Sequence, residues 1–338
     1  MSAIRILSAA NVKELFTLPM AIAAVEKAYL QKHTGQGGVW PLVFHEFDPG
    51  HADLDIKSGN LDAEGIFGLK LVSWFGANPE KGLPALYGTS LVCDLATGQP
   101  KALLNAGPVT DLRTGAAGAI GAKYLARKDS KALVMVGCGE LSPYLIAATL
   151  LALPQLETVT VVNPRHPEKA QQKLAAIKEK VDALLSAAAE SRSYCMDAAA
   201  DTEQAVRQAD VILTATQSRG PLIRREWLKP GTHLSCVGAD MSGKQELEMQ
   251  ILADARVFGD DMSQCLNVGE CEAAFRAGLL TSFAGEIGAV IAGELPGRTD
   301  ERQITVFDST GIALQDLASA AVILKKAELL DVGTNCEL

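Results

Sequence analysis

The chain has 338 residues, of which 48% are hydrophobic and 21% are charged, and its formal net charge is −9. This length exceeds one compact core and favours two domains, and the ordinary globular composition argues against wholesale disorder. The negative charge argues against a surface that binds nucleic acid or anionic membranes. We therefore expect a small-molecule partner.

Signals for targeting and for metal sites are weak. The N-terminus lacks a basic segment followed by a long apolar core, so no signal peptide is expected, and no run of about 18 apolar residues predicts a transmembrane helix. Seven cysteines are scattered along the chain, and the closest pair, Cys265 and Cys271, has five intervening residues and no neighbouring histidine. Such spacing does not suit zinc. Reduced thiols in a cytoplasmic protein are the simplest interpretation.

In chain order, the first part predicts a helix and then a mainly antiparallel sheet. Residues 11–31 carry apolar side chains at helical spacing, with an interruption near Pro19. Three β-like runs, separated by Gly, Pro and Asn, follow at residues 39–47, 66–75 and 87–94.

From residue 111 onward, helices are predicted to alternate with apolar strands. A helix over residues 111–126 is rich in Ala and Gly, which predicts close packing. The strands after it are predicted at residues 131–137, 157–162, 210–216, 233–238 and 255–260, with helices at 141–153 and 166–188. Such alternation specifies a parallel sheet with crossover helices. The alanine-rich residues 183–200 fit a helix and a loop, and a last helix over residues 310–330 is expected to pack against the first domain.

The turn after the first of these strands has the residues of a dinucleotide site. Gly137 and Gly139 follow an apolar strand and precede a helix, with Ser142 at the third small position. Glycines let the backbone approach a pyrophosphate, and the free N–H groups at the helix start face its negative charge. Because an α/β alternation surrounds the turn, it predicts nucleotide binding rather than an ordinary strand–helix connection. The expected contacts there are Gly137, Gly139, Glu140 and Leu141.

The end of the second parallel strand should meet the adenosine ribose of the nucleotide. An acid at this place would hold both ribose hydroxyls and repel a 2′-phosphate. The chain has Asn163 instead, with Arg165 two residues later. The expected cofactor is NAD or NADP, with a slight preference for NADPH, unless Arg165 is only a solvated residue at the start of a helix.

Four further segments, taken with the glycine turn, resemble the ornithine cyclodeaminase/mu-crystallin family. They are Gly68–Val72, Leu112–Ala117, Val237–Leu247 and Phe307–Asp316. The resemblance runs nearly end to end, with the motifs in family order. It is nearest to the branch of alanine dehydrogenases and imino acid reductases.

This resemblance implies an α/β homodimer that transfers hydride between nicotinamide and the α-carbon of an amino or imino acid. It implies a Rossmann NAD(P)-binding domain over residues 128–308. Residues 1–127 and 309–338 would form an α+β domain for substrate binding and dimerisation, with a mainly antiparallel sheet. The remaining expected cofactor contacts are Thr114, Thr216 and Gly238.

The resemblance also implies roles for single residues. Lys70 and Arg113 match positions that bind the substrate carboxylate. Asp240 matches the acid near the reacting carbon and nitrogen, and Asp308 matches an acid at the domain junction. Residue chemistry agrees, because an α-imino acid needs cations for its carboxylate and a carboxylate near its nitrogen. Asp240 and Lys70 are the expected catalytic residues, and Asp308 is a further expected substrate ligand.

Several of these residues also have a structural interpretation. Lys70 lies in an apolar strand, where a charge must be paired, directed at a ligand or at the edge, so a structural ion pair is the alternative. Arg113 is placed at a helix start, where the helix dipole is unfavourable for a cation unless an anionic partner is present. The alternative to a substrate-binding role for Arg113 is a salt bridge between the two domains. Asp308 would alternatively cap the helix that begins near Thr310.

The sequence departs from the family pattern at the early strand. Family members often have a basic residue after the proline, whereas this chain has Pro41 followed by Leu42, so one carboxylate ligand is missing. Lys57 either replaces that charge, binds a second substrate carboxylate, or is a solvated strand residue. Whether Asp55 or Lys57 reads the substrate side chain is open: Asp55 would suit a distal ammonium, and Lys57 a dicarboxylic imino acid such as iminosuccinate.

The expected function is NAD(P)H-dependent reduction of a small α-imino acid, alanine-like or dicarboxylic, which runs backwards as an amino acid dehydrogenase. Within the family the alternative is ornithine cyclodeaminase, a lyase that releases ammonia and recycles its NAD. A mu-crystallin-like protein that holds NADPH and a small ligand with little turnover is the alternative from another class. The retained Lys70, Arg113 and Asp240 argue against it. Metal, membrane and nucleic-acid partners are not expected.

Overall fold

The computed structural model describes residues 3–337 of the chain. Its strands are β1 (Ala3–Leu7), β2 (Gly37–Val39), β3 (Val43–Asp48), β4 (Ala52–Leu61), β5 (Ile66–Phe75), β6 (Leu86–Asp94), β7 (Pro100–Asn105), β8 (Ala132–Val136), β9 (Thr158–Val162), β10 (Cys195–Ala199), β11 (Val211–Thr214), β12 (Arg219–Ile223), β13 (His233–Cys236), β14 (Gln245–Leu247), β15 (Arg256–Gly259), β16 (Gly285–Glu286), β17 (Thr305–Asp308) and β18 (Thr334–Glu337). Its helices are α1 (Ala9–Leu15), α2 (Leu18–His33), α3 (Gly107–Leu125), α4 (Ser142–Ala152), α5 (Pro167–Ala187), α6 (Thr202–Gln208), α7 (Met249–Asp254), α8 (Met262–Val268), α9 (Glu272–Arg276), α10 (Ile287–Ile291) and α11 (Ala313–Leu330). Within this described part, none of the helices has the length and apolar character needed to span a membrane.

The chain forms two compact units. The first consists of Met1–Arg113 with Ile312–Leu338, and the second of Thr114–Gly311. The first boundary lies inside α3, whereas the sequence places it after this helix, at residue 127. The second lies just before α11.

The first unit contains a mixed sheet that is mainly antiparallel. Its strand order is β18-β1-β7-β6-β5-β4-β2, and β3 pairs with β4. The neighbouring strands run antiparallel except for β1 and β7. Lys57 of β4 lies opposite Lys70 of β5, which lies opposite Ser90 of β6. Because side chains alternate between the faces of a strand, these three residues share one face.

Helix α11 lies against that same face. A Cβ at Gly68 would lie 3.1 Å from the side chain of Leu317 and would also meet the backbone of the neighbouring strand. The glycine therefore lets the helix approach the sheet closely. This approach brings Asp316 of α11 into contact with Lys70 of β5.

The second unit contains a parallel sheet with the strand order β10-β9-β8-β11-β13-β17-β15-β16, and β12 pairs with β14 apart from it. The chain leaves β8 to form β9 and β10 on one side and then crosses to β11 on the other. The strand order therefore reverses between β8 and β11, and ligands of such sheets bind beyond the carboxyl ends of the strands at this point. The predicted fold class is confirmed, with a Rossmann-like parallel sheet in one unit and a mainly antiparallel sheet in the other.

One local feature agrees with the prediction, and two differ from it. The predicted interruption near Pro19 is present: α1 ends at Leu15 and α2 begins at Leu18, with Pro19 in its first turn, where the missing N–H of proline has no intrahelical partner to lose. Strand β4 is absent from the predicted β-like runs, although its residues 52–57 alternate between apolar and charged side chains. Strand β10 occupies part of the alanine-rich stretch that predicts only a helix and a loop.

Candidate functional site

A buried cluster of charged side chains lies in the first unit. Nζ of Lys70 donates to Oδ1 of Asp316 at 3.0 Å, and Nε of Arg113 donates to the same oxygen at 3.2 Å. Nη1 of Arg113 also donates to Oε1 of Gln315 at 3.0 Å. Lys57 is buried as well and lies opposite Lys70. The three predicted substrate-binding cations of this unit are thus brought together, and Asp316 joins them without a role predicted for it.

The cluster carries an excess of positive charge. Burial, and after it the charge of Arg113, lowers the pKa of Lys70 to about 8, although Asp316 acts in the opposite direction. Burial alone would raise the pKa of Asp316, but Arg113 and Lys70 hold it below its ordinary value. The groups that act on the charge of Lys70 include the cations Lys57 and Arg113 and the carboxylates Asp55 and Asp316. With Lys70 itself, these five side chains carry three positive and two negative formal charges. One further anion would neutralise the cluster.

Two expectations about these residues are wrong. Arg113 does not start a helix, because α3 begins six residues earlier, at Gly107. Lys57 is not a solvated strand residue, since only 6% of it is exposed. The ion pair considered as an alternative for Lys70 is present, and it lies within one unit. Asp55 is half-buried in β4, and within residues 3–337 its Oδ1 has no hydrogen-bond partner.

In the second unit, the glycine turn joins β8 to α4 where the strand order reverses. Gly137 has a φ of 113°, in the left-handed region that favours glycine. A Cβ there would lie 2.8 Å from the carbonyl oxygen of Ala215. At Gly139, by contrast, a Cβ would meet no described atom within 4 Å. The turn is therefore tightly packed at its first glycine and open at its second.

The open side of the turn suits a pyrophosphate. Oγ of Ser142 donates to the carbonyl oxygen of Gly139 at 2.7 Å, which closes the turn as α4 begins. The first N–H groups of a helix have no partner within it and face anions favourably. Glu140 is exposed and Leu141 half-buried beside this opening. The residues present therefore fit a dinucleotide.

The residues after β9 form a local turn. Oδ1 of Asn163 accepts the backbone N–H of His166 at 3.0 Å, and Nδ2 donates to Sγ of Cys138 at 3.3 Å. Arg165 is exposed, and its Nη2 donates to Oγ of Ser218 at 2.9 Å. The guanidinium of Arg165 thus links the turn after β9 to the segment after β11, on both sides of the glycine turn.

A buried glutamate connects two of the expected cofactor residues. The carboxylate of Glu246 accepts the backbone N–H of Thr216 at 2.7 Å and that of Gly238 at 3.2 Å. It also accepts the hydroxyl of Thr214 at 2.6 Å. Burial raises the pKa of Glu246 in spite of these donors. No role is predicted for Glu246 from the sequence, although it lies within the family segment that ends at Leu247.

Asp240 lies on a turn between β13 and β14. Its side chain is 45% exposed, and Oδ1 accepts from Nζ of Lys244 at 2.5 Å. On the other side of the turn, the carboxylate of Glu272 accepts the hydroxyl of Ser242 at 2.5 Å and the N–H of Gly243 at 2.8 Å. The carboxylate of Asp240 is therefore accessible, and the backbone of its turn is held by the hydrogen bonds to Glu272.

Asp308 ends β17 and is completely buried. Oδ2 accepts the N–H of Cys271 at 3.0 Å, and burial raises the pKa of this carboxyl to about 7. The interpretation of Asp308 as a helix cap is wrong, because α11 begins at Ala313 and its N-cap is Ile312. A substrate contact for Asp308 stays a prediction. So does a cofactor contact for Thr114, which is buried in α3.

Proteins of known function share both the sequence and the fold of this chain. Alanine dehydrogenase of Archaeoglobus fulgidus is 36% identical over 335 residues, which are 97% of this chain and 97% of that protein. An archaeal alanine dehydrogenase dimer with bound NAD has a TM-score of 0.87 at 34% identity, with 100% of both chains covered. The iminosuccinate reductase of Paracoccus denitrificans in complex with NAD+ has a TM-score of 0.89 at 32% identity, again with 100% of both chains covered.

The likeness extends to a whole protein family. The model of the ornithine cyclodeaminase/mu-crystallin family matches residues 3–329. This range includes the charged cluster of the first unit as well as the glycine turn and the Asp240 turn of the second. The resemblance noted in the sequence is confirmed, and the chain belongs to the ornithine cyclodeaminase/mu-crystallin family.

Proposed function

We propose that this protein is an NAD(P)H-dependent reductase of small α-imino acids, which acts in reverse as an amino acid dehydrogenase. The excess positive charge of the buried cluster of Lys57, Lys70 and Arg113 carries this proposal. A substrate carboxylate is the anion that would neutralise the cluster, and guanidinium and ammonium groups form strong charge-assisted hydrogen bonds with carboxylates. Similar proteins are named alanine dehydrogenase and iminosuccinate reductase, which fits a small amino or imino acid.

The proposed cofactor is a nicotinamide dinucleotide held by the second unit. Gly137, Gly139 and the N-terminus of α4 would hold its pyrophosphate. In its reduced form it supplies the hydride that reduces the imine carbon. Arg165 is the cation that would contact a 2′-phosphate, and Asn163 carries no charge that repels one. We therefore propose that this protein accepts NADPH as well as NADH. The two similar structures named above contain NAD, the cofactor without the 2′-phosphate.

The residues of this chain would orient the substrate and move its proton. Lys70 and Arg113 hold the substrate carboxylate and thereby fix the α-carbon. Asp240 takes a proton from the substrate ammonium in the direction of oxidation and returns one to the nitrogen in the direction of reduction. The accessible carboxylate and its bond to Lys244 are consistent with this role.

Lys57 bears on the choice of substrate side chain. It lies opposite Lys70, and its charge contributes to lowering the pKa of Lys70. We propose that Lys57 replaces the cation missing at Leu42 and so supports binding of the α-carboxylate. This assignment favours a small apolar side chain, as in the imine of pyruvate, over a second carboxylate.

A spectrophotometric screen tests the proposed function. The protein is mixed with NADH or NADPH, a 2-oxo acid, and ammonia or methylamine, and cofactor oxidation is followed. Oxidation should require both the oxo acid and the amine and should be faster with pyruvate than with oxaloacetate. The proposal fails if no such pair supports oxidation, or if ornithine yields proline and ammonia without net change in the cofactor.

We further propose that the protein is a homodimer formed through exposed apolar side chains of β3 and β5 in the first unit. In these two strands, Val43, Phe44, Phe47 and Phe75 are 51%, 42%, 54% and 37% exposed, and clustered exposed apolar side chains mark interaction surfaces. The similar archaeal structure is a dimer. In sedimentation, the native protein should have twice the mass of the chain, and a Val43→Asp, Phe44→Asp variant should be a monomer.

A further inference from the structure

We infer that Glu272 is a positioning residue that holds the Asp240 turn, residues 240–243, in the conformation needed for proton transfer. The inference rests on the proposed function, because it takes Asp240 as the group that moves the substrate proton. Glu272 has no place in the cofactor or substrate contacts described above. Its effect would pass entirely through the backbone that carries Asp240.

The two oxygens of the Glu272 carboxylate reach two consecutive residues of the turn. Oε1 accepts the hydroxyl of Ser242, and Oε2 accepts the backbone N–H of Gly243 at 2.8 Å. Only 3% of Glu272 is exposed, and hydrogen bonds to an ionised acceptor are about twice as strong as bonds between neutral groups. A buried carboxylate with two adjacent donors fixes both the place and the direction of the chain.

Other bonds also shape the turn. Gly243 has a φ of 80°, and the N–H of Lys244 donates to the carbonyl oxygen of Met241 at 3.2 Å. These two features are local to the bend, and Nη2 of Arg219 in β12 also donates to Sδ of Met241 at 3.6 Å. Glu272 lies in α9, about 30 residues along the chain, so its contacts tie the turn to a different element of the second unit.

Two buried glutamates therefore hold different parts of this segment. Glu246 holds the N–H groups of Thr216 and Gly238, which belong to the expected cofactor contacts. Glu272 holds the following residues, on the side of Asp240. Loss of Glu272 should misplace the carboxylate that moves the proton and leave cofactor binding largely intact, and a displacement of about 1 Å at a reacting group can cost about 100-fold in rate.

Arg276 provides a matched control. Its Nη2 lies 2.7 Å from Oε1 of Glu272, but its side chain is 65% exposed and it makes no described bond to the turn. Exposed ion pairs contribute little free energy. Arg276→Gln therefore changes the charge around Glu272 and leaves its two bonds to the turn in place.

The test compares Glu272→Ala, Glu272→Gln and Arg276→Gln in the full-length protein. Four quantities are measured: kcat and KM for imine reduction, the Kd of NADH from its fluorescence, and the rate of hydrogen exchange of the backbone amides in the Asp240 turn. Glu272→Ala should lower kcat about tenfold or more, change the Kd of NADH less than about twofold, and speed the exchange of the Gly243 amide. Glu272→Gln should recover part of the loss, because its amide oxygen can still accept that N–H, and Arg276→Gln should resemble the native protein.

Unchanged kcat and exchange in Glu272→Ala would overturn the inference. So would equal losses of kcat and NADH affinity together with a lower melting temperature, since these describe a purely structural role. Asp240→Asn is measured in parallel. If Asp240→Asn keeps its kcat, the role of Asp240 in the proposed function fails; if it loses kcat and Glu272→Ala does not, only the positioning role of Glu272 fails.

Discussion

Lys70 and Asp316 form a buried ion pair of 3.0 Å, in which the two side chains are 2% and 3% exposed. Arg113 donates to the same carboxylate oxygen. The pair joins β5 to α11. Because the single negative charge of Asp316 is shared by two cations, the pair also leaves one positive charge that a ligand can neutralise. This relationship determines how the first unit should respond to pH and to loss of the carboxylate.

The affinity for a substrate carboxylate should fall as the pH rises above about 8. Burial and the charge of Arg113 lower the pKa of Lys70 to about 8, so its ammonium loses a proton above this pH. A bound carboxylate favours the ammonium, and the apparent affinity therefore declines by up to about tenfold per pH unit until the pKa of the complex is reached. Pyruvate without ammonia has no titrating nitrogen, and its inhibition constant against pH provides the measurement.

The control for this prediction is Lys70→Arg, whose side chain keeps its charge throughout the range. Its affinity for pyruvate should not change between about pH 7 and 9. A native affinity that is equally flat would contradict the role of Lys70 as a carboxylate ligand. The free energy of unfolding should depend on pH in the opposite direction to the substrate affinity. Between about pH 8 and 10.5 the unfolded chain binds more protons at Lys70 than the folded protein does, so the contribution of Lys70 to stability rises with pH.

Removal of the Asp316 charge should strongly destabilise the protein. Asp316→Asn keeps the shape of the side chain but leaves Lys70 and Arg113 buried without their shared counter-ion, which costs about 3–5 kcal/mol. Urea denaturation should show a decrease of this size in the free energy of unfolding. In the control, Tyr29→Phe removes a hydroxyl that accepts from Nε2 of Gln315 at 2.7 Å, and should cost about 1 kcal/mol. A loss for Asp316→Asn as small as the control would mean that another group neutralises the cations.

The sequence predicts the second unit more accurately than the first. The strand and helix around the glycine turn, predicted at residues 131–137 and 141–153, are observed as Ala132–Val136 and Ser142–Ala152. Parallel strands buried on both faces appear as continuous apolar runs, so local composition is sufficient to locate them. Strand β4 has no continuous apolar run, because charged residues alternate with its apolar ones. The ion pair of the neighbouring β5 joins Lys70 to Asp316, 246 residues further along the chain, and local composition does not predict it.

The buried glutamates show the same limit at the site. No role is predicted for Glu246 or Glu272 from the sequence, because glutamates are mostly exposed in folded proteins. Their burial depends on donors from other elements, the N–H groups of Thr216 and Gly238 in one case and the Asp240 turn in the other. Tertiary contacts of this kind become visible only when the fold is known.

Gly137→Ala should lower stability, whereas Gly139→Ala should lower the affinity for NADH. At Gly137 the left-handed φ and the carbonyl oxygen 2.8 Å from a Cβ predict lower stability, by about 1 kcal/mol or more. At Gly139 a Cβ meets nothing within 4 Å, so the melting temperature should hardly change. The added methyl group would instead occupy space that a pyrophosphate needs, and NADH affinity should fall about tenfold or more. Calorimetry and NADH fluorescence check the two effects, and unchanged affinity in Gly139→Ala would contradict the cofactor site.

Asp308 should make the protein less stable as the pH rises from about 4 to about 7. Burial raises its pKa from 3.8 to about 7, so in this range the folded protein keeps a proton that the unfolded chain releases. Stability falls with pH wherever the folded state binds more protons. The contribution of Asp308 therefore decreases by up to about 1.4 kcal/mol per pH unit. Its penalty is absent below about pH 4 and complete above about pH 7.

Asp308→Asn removes this titration, while its amide oxygen can still accept the N–H of Cys271. The free energy of unfolding of the variant, measured relative to the native protein, should therefore increase from pH 5 to pH 8. Asp129→Asn, at a side chain that is 75% exposed, should follow the native curve in parallel. A difference for Asp308→Asn that does not depend on pH would mean that Asp308 is already ionised in the folded protein at pH 5. In that case burial would not dominate its environment, and a charged Asp308 would have to be paired within the second unit.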